Sequence, residues 1–154
     1  MSVTVGGKVP DFTLASTGGD KLRLKDLLGG ALVLYFYPRD NTPGCTLEGQ
    51  QFAALNARFK KAGVTVFGVS RDSLASHEKF KARDQLPFEL LADEDSKVCT
   101  LFDVIHEKSM YGRKYLGVVR STFLLDGTGV LRQEWRKVKV PGHAEEVLEA
   151  AQSL

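Results

Sequence analysis

Ala31-Leu32-Val33-Leu34-Tyr35-Phe36-Tyr37, followed directly by Pro38-Arg39-Asp40-Asn41-Thr42-Pro43-Gly44-Cys45, joins an uninterrupted apolar run to a turn-rich octet. Seven apolar residues without polar alternation are the pattern of a strand covered on both faces, as strands of parallel sheets are. In the octet, Thr42 is suited to cap a helix, and Pro43 to its first position, where no amide hydrogen is needed. Gly44 lets the backbone approach a ligand closely. Cys45 then falls in the first helical turn, where free amide hydrogens and the positive end of the helix dipole favour a thiolate over a thiol. A lone cysteine is commonly a small core hydrophobe. Thr-Pro-Gly-Cys at a strand-to-helix junction instead predicts an exposed, activated sulfur for nucleophilic or redox chemistry.

Downstream of the octet, Phe52, Leu55 and Phe59 recur at helical spacing, Lys60 and Lys61 sit in the last turn, and Gly63 is placed to end the helix. Val64-Thr65-Val66-Phe67-Gly68-Val69 is a second apolar strand. Residues 31–69 therefore read as strand, helix, strand with a right-handed parallel crossover, and Cys45 lies beyond the carboxyl end of a strand, at the rim where open α/β sheets bind ligands. Upstream, residues 12–15 and 22–24 predict a short hairpin packed on the front of the domain. Further on, Asp72 or Ser73 can cap a helix running toward Arg83. Residues 88–91 predict a strand, Ser96 opens a helix containing Val98, Leu101 and Phe102, and 107–117 reads as a loop. Residues 121–125 and 130–135 flank Asp126-Gly127-Thr128-Gly129 as an antiparallel hairpin, so the sheet is mixed. Ala144, Val147, Leu148 and Ala151 mark a closing helix with Glu145 and Glu146 near its start. The fold class is α/β: a central mixed sheet flanked by helices, with an N-terminal β-hairpin.

The chain has 154 residues, 43% hydrophobic and 26% charged, the size and composition of one domain spanning 1–154. A net charge of +2 makes no electrostatic case for nucleic acid or an anionic membrane. Two cysteines, Cys45 and Cys99, are too few for a disulfide-rich scaffold and point to a reducing, cytoplasmic setting. The N-terminus lacks a basic start and a long apolar stretch, and no apolar run approaches the ~20 residues of a membrane span. His77, His106 and His143 show no metal-ligand spacing, so each reads as structural or solvated and no metal or cofactor is expected. A thioredoxin-type exchanger would place Cys-x-x-Cys at this junction, but the first position is Thr42. The basic patch Arg136-Lys137-Val138-Lys139 reads as an edge-strand guard.

Pro38-x-x-x-Thr42-x-x-Cys45 resembles the active-site signature of peroxiredoxins. Tyr35-Phe36-Tyr37-Pro38, Thr42-Pro43-Gly44-Cys45-Thr46-x-Glu48, Glu107-Lys108-x-Met110-Tyr111-Gly112 and Arg120-Ser121-Thr122-Phe123 are similar to the bacterioferritin comigratory protein, or peroxiredoxin Q, branch. The resemblance covers nearly the whole chain and implies a thioredoxin-like fold and a thiol peroxidase. Cys45 would be the peroxidatic cysteine, Thr42 its hydroxyl partner, Pro38 and Pro43 the shields of the pocket, and Arg120 the guanidinium beside the sulfur. The residues alone do not separate Arg120 from Arg39, Arg71 or Arg113; the resemblance selects it. Glu48, three residues after Cys45, reads as an ordinary acid of the first helical turn.

Members of this branch carry a resolving cysteine at the positions matching Gln50 or Lys81, and both are empty here. Cys99, beside Val98, Leu101 and Phe102, reads as a buried structural cysteine. The expectation is a one-cysteine peroxidase acting on hydrogen peroxide and organic hydroperoxides, monomeric, and reduced from outside by thioredoxin, by glutaredoxin with glutathione, or by a small thiol. The other readings are a two-cysteine enzyme resolving through Cys99, and a thioredoxin-like redox-sensing or chaperone module.

Overall fold

The computed structural model describes residues 3–154. Its order is β1 (Thr13–Ser16), β2 (Lys21–Arg23), α1 (Leu24–Leu27), β3 (Ala31–Phe36), α2 (Pro43–Lys61), β4 (Val64–Ser70), α3 (Leu74–Asp84), β5 (Leu90–Ala92), α4 (Lys97–Leu101), β6 (Ile105–Met110), β7 (Arg113–Val118), β8 (Ser121–Leu125), β9 (Leu131–Arg136) and α5 (His143–Gln152). Seven strands form one sheet in the order β2-β1-β5-β4-β3-β8-β9, and β6 and β7 form a separate pair. The inner strands β3, β4 and β5 are parallel, and β8 and β9 extend the sheet antiparallel, so it is mixed.

The apolar run of β3 is unbroken because the sheet is covered on both faces. Leu32, Leu34 and Phe36 join one core cluster with Phe102 and Cys99; Val33, Tyr35 and Tyr37 join the other with Phe52, Phe59, Phe80 and Val147. Helix α2 buries Cys45, Glu48, Gly49, Phe52, Asn56 and Phe59 in a single stripe at three- and four-residue intervals. It stops at Ala62, and Gly63 follows with φ 77°, a backbone that glycine adopts without strain. In α5, Ala144, Val147, Leu148 and Ala151 are all buried, as their spacing predicts.

Three expectations change. The N-terminal hairpin is not a separate layer on the front, since β1 pairs antiparallel with β5 (Ala15↔Ala92) and the hairpin extends the main sheet at its edge. An isolated bridge between Lys8 and Val130 ties the preceding segment to the far side of the chain. Residues 107–117 are not a loop but most of the hairpin β6–β7, turned by Tyr111 and Gly112 with φ 52° and 76°. Positive φ at both central residues is the two-residue hairpin turn that matches strand twist. The third concerns α4. Ser96 precedes it without a side-chain cap, and the buried Asp93 carboxylate accepts from the Val98 and Cys99 amides at 3.1 and 2.7 Å instead. Helix α3 is capped as expected, by Ser73 Oγ accepting from Ser76 N.

Gly68 in β4 has no space for a side chain: an added Cβ would stand 2.8 Å from Leu90 Cδ2 and 2.9 Å from Tyr35 Cζ. Tyr35 cannot yield, being stacked on Phe52 with centroids 4.6 Å apart. Gly68→Ala is expected to cost about 1–3 kcal/mol by overpacking, read as a shift in the urea midpoint. An unchanged midpoint would show that this layer repacks freely.

Candidate active site

Strand β3 ends at Phe36, and the chain crosses residues 37–42 to reach α2. Thr42 has the extended backbone of an N-cap (φ −88°, ψ 152°), and its carbonyl accepts the first helical bond from Thr46 N at 2.9 Å. Its hydroxyl does not cap the helix; it donates to the Arg39 carbonyl at 2.9 Å. Pro43 occupies the start of the helix, exposed, and Pro38 is half-buried at the opposite end of the loop.

Cys45 was expected to be exposed and is 2% exposed. It opens the inward stripe of α2, so the position that gives it free amides overhead also turns its sulfur toward the sheet. Arg120 meets it there, with Nη2 donating to Sγ at 3.4 Å and Nη1 donating to Glu48 Oε1 at 2.6 Å. Sheet register explains why Arg120, of four candidate arginines, arrives. Phe36 pairs with Ser121 across β3 and β8, so the residue before Ser121 lies beside the start of the loop. Gly44 completes the fit, since a Cβ there would stand 3.2 Å from Arg120 Nη2. Its bare backbone admits the guanidinium, a use the sequence did not reveal.

Glu48 is not an ordinary first-turn acid. It is fully buried, three residues along the same stripe as Cys45, and one of its oxygens rests on Arg120. The other, Oε2, has no hydrogen-bond partner among the described residues, nor has the buried Tyr35 hydroxyl. Burial pushes the Glu48 carboxyl up to about 7, against the pull of Arg120. Burial, and then the Arg120 charge, press the His143 imidazole down to about 4; its Nε2 lies 2.7 Å from Thr122 Oγ1. From the facing hairpin comes Lys108, held below its usual value first by burial and then by the Arg120 charge. The sequence singled out neither Lys108 nor the buried state of Glu48, because both depend on partners distant along the chain.

Opposite pH dependences follow from Glu48 and His143. The lowered His143 gives stability that is complete above about 6.5 and is lost as pH falls toward 4. The raised Glu48 gives stability present below about 4.3 and lost as pH rises through 7. Each shift corresponds to about 3 kcal/mol, and the two largely cancel in mildly acid solution. His143→Gln is therefore expected to weaken less than the native chain between pH 7 and 4, and Glu48→Gln to weaken more. Urea titrations at three pH values check this, and three parallel curves would refute it.

Cys99 sits elsewhere. It is 0% exposed, in the core cluster on the other face of the sheet from Cys45, and burial together with the Asp93 carboxylate pushes its thiol far up. Both cysteines are free. Gln50 is exposed, and Lys81 is paired with Glu89. Arg39 and Arg113 are exposed, while Arg71 donates to the Leu116 carbonyl at 3.2 Å. His77 is fully buried. Among the described residues, no helix is long and apolar enough to cross a membrane.

The AhpC/TSA family model matches residues 5–134. Peroxiredoxin Bcp of Xanthomonas campestris is 52% identical over 140 residues, covering 91% of this chain and 88% of the relative, and that of Bacillus subtilis is 43% identical over 154 residues, covering 100% and 98%. Among solved structures, a PrxQ variant of Xylella fastidiosa superposes with a TM-score of 0.94 at 43% identity, covering 99% of this chain and 98% of that one. The Xanthomonas campestris bacterioferritin comigratory protein, described for its alkyl peroxide reduction activity, gives 0.88 at 50% identity, covering 92% and 90%. With its thioredoxin-like sheet and a cysteine at the rim, the chain belongs to the AhpC/TSA family, in the Bcp or peroxiredoxin Q branch, and is a thiol-dependent peroxidase.

Proposed function

We propose that Cys45 is the peroxidatic nucleophile of a one-cysteine mechanism acting on hydrogen peroxide and alkyl hydroperoxides. The observation that supports this most directly is the Arg120 fork, one arm on Sγ and the other on Glu48, at the first turn of α2. The Cys45 thiolate attacks the terminal peroxide oxygen; the S–O bond forms, the O–O bond breaks, and the departing oxygen takes a proton to leave as alcohol or water. Arg120 and the free amides of the helix start attract the negative charge that moves onto the departing oxygen. Thr42 turns its hydroxyl from the Arg39 carbonyl to the bound peroxide, and Pro38, Pro43 and Gly44 wall the approach.

The product is a Cys45 sulfenic acid. An external thiol then attacks its sulfur and expels water to give a mixed disulfide, and a second thiol releases Cys45. Three features favour an outside thiol over Cys99: Gln50 and Lys81 leave the usual resolving positions empty, Cys99 is fully buried, and the sheet lies between it and Cys45. A disulfide needs Cα atoms within about 7 Å. The reductant in this reading is thioredoxin, or glutaredoxin with glutathione, and the protein works as a single-domain monomer in the cytoplasm.

Limiting peroxide should leave one added oxygen on the intact chain, trapped at Cys45 by a sulfenic-acid reagent, and turnover should continue when a reducing system is supplied. Rapid, near-complete Cys45 to Cys99 linkage in a non-reducing peptide map would overturn the external-thiol mechanism.

A further inference from the structure

The loop that delivers Cys45 is fastened at Asp40 in two ways. Its amide donates to Asp72 Oδ2 at 2.8 Å, an oxygen that also receives the Ser70 hydroxyl at 2.6 Å. Its carboxylate receives the Tyr37 hydroxyl on Oδ1 at 2.6 Å and, on Oδ2, the Ser76 hydroxyl at 2.7 Å and His77 Nδ1 at 2.8 Å. The other nitrogen of His77, Nε2, lies 2.9 Å from the Leu91 carbonyl in β5. His77 is 0% exposed and Asp40 5%, so water does not compete for these bonds.

The chemistry of the partners fixes what His77 must do. A backbone carbonyl only accepts, so Nε2 carries a hydrogen. Burial alone would raise the Asp40 carboxyl, but the donors from His77, Tyr37 and Ser76 outweigh it and hold the group below its ordinary range. The Asp40 carboxylate oxygen likewise accepts, so the 2.8 Å contact sets Nδ1 in a donor position as well. Donor atoms of Asp40, Asp72 and His77 lie within 4.8 Å of one another. Two carboxylates so close favour a cation between them, and among the described residues the groups facing the ring from each neighbouring segment supply no other: Tyr37 just after β3, Asp72 after β4, Ser76 and Phe80 from α3, and Leu91 from β5. The same contacts use the atoms that a metal ion would need.

We infer that His77 is a positioning residue of the peroxidase, a double donor that ties the loop leading through Thr42 to Cys45 to strand β5 through Asp40. It touches neither sulfur nor substrate. Losing either of its hydrogens leaves two acceptors facing each other and frees Asp40, five residues before Cys45, at one of its two fastenings. The inference rests on the reading of Cys45 as the nucleophile, and it adds a control point away from the sulfur itself.

The test combines three measurements on the full chain: stopped-flow oxidation by hydrogen peroxide, hydrogen exchange of peptides spanning 38–46 and β4, and ring nitrogen shifts of His77. In the native chain the ring nitrogen shifts should report a donated hydrogen bond from each of Nδ1 and Nε2. His77→Gln, which retains one donor direction, is expected to slow oxidation about tenfold, and His77→Phe about a hundredfold. Exchange should quicken in 38–46 and stay unchanged in β4. Tyr37→Phe keeps the packing, removes one donor to Asp40, and should give a smaller loss of the same kind if His77→Phe fails to fold. Unchanged oxidation in folded variants, or exchange rising equally in β4, would reduce His77 to a general structural role and overturn the inference, as would a native ring with a bare Nδ1. Failure of the Cys45 reading is distinguishable, because peroxide would then leave Cys45 without added oxygen while the ring and exchange results stood.

Discussion

Cys45→Ser is expected to bring peroxide turnover down to the uncatalysed background, a loss of at least about a thousandfold, since the proposed mechanism runs through the Cys45 sulfur and, among the described residues, no other group is placed to replace it. Serine fits the space of the thiol, so the fold will persist, with an unchanged urea midpoint to show it. Cys99→Ser is the complementary case. It alters a fully buried atom in the opposite core and is expected to lower stability while leaving the rate per folded molecule close to native. Turnover in the presence of a reducing system measures both. A folded Cys99→Ser protein as inactive as Cys45→Ser would defeat the one-cysteine scheme.

Arg120→Met is the second large effect, and it acts in two places. The guanidinium leaves the sulfur, and the charge developing in the transition state loses its nearest cation; removal of one such donor typically costs 10²–10³-fold in rate. Glu48 loses the partner of Oε1 while remaining at 1% side-chain exposure. Breaking a buried pair from one side costs about 3–5 kcal/mol. Here proton uptake by the raised Glu48 carboxyl softens that penalty. Adding Glu48→Gln to Arg120→Met should therefore recover stability without recovering rate. Stopped-flow oxidation and urea titration of the single and double variants separate the two roles, and an unchanged oxidation rate in Arg120→Met would remove Arg120 from the reaction.

What the sequence disclosed, and what it withheld, divides along the range of the interactions. The run 31–37, the Thr42-Pro43 helix start, Gly63 and the spacing of Phe52 and Phe59 are local signals, and each falls in or at the end of the element it predicted. The hairpin β6–β7 escaped notice because most of its side chains are exposed or half-buried, giving no two-residue alternation of apolar positions; Tyr111-Gly112 was the legible clue. Glu48 was misread for another reason. An acid in the second half of a helix turn is ordinary until an arginine 72 residues away is brought onto it by strand register. Asp40 and His77 are 37 positions apart and likewise meet only through the sheet. The resemblance named Cys45, Thr42 and Arg120, and the geometry brings Arg120 to the sulfur while leaving the Thr42 hydroxyl on Arg39.

The pairing of β1 with β5 and the bridge from Lys8 to Val130 have a consequence for the order in which the chain matures. Synthesis delivers the N-terminal segment first, yet its hydrogen-bond partners lie far downstream: Leu101 for Val3, Gly129 for Val9, and Ala92 for Ala15. The unit from β3 to β4 needs no such wait, because its strands adjoin through α2, whose first turn already contains Cys45. The Cys45 sulfur is thus installed early, while the first strand made is among the last to be seated. Contacts of long sequence separation are slow to close. The outer edges of β3 and β4 stand open until β8 and β5 pair with them, and the edge of β5 until the N-terminal hairpin is seated, so partially made chains carry their greatest hazard of sticking to one another in that interval.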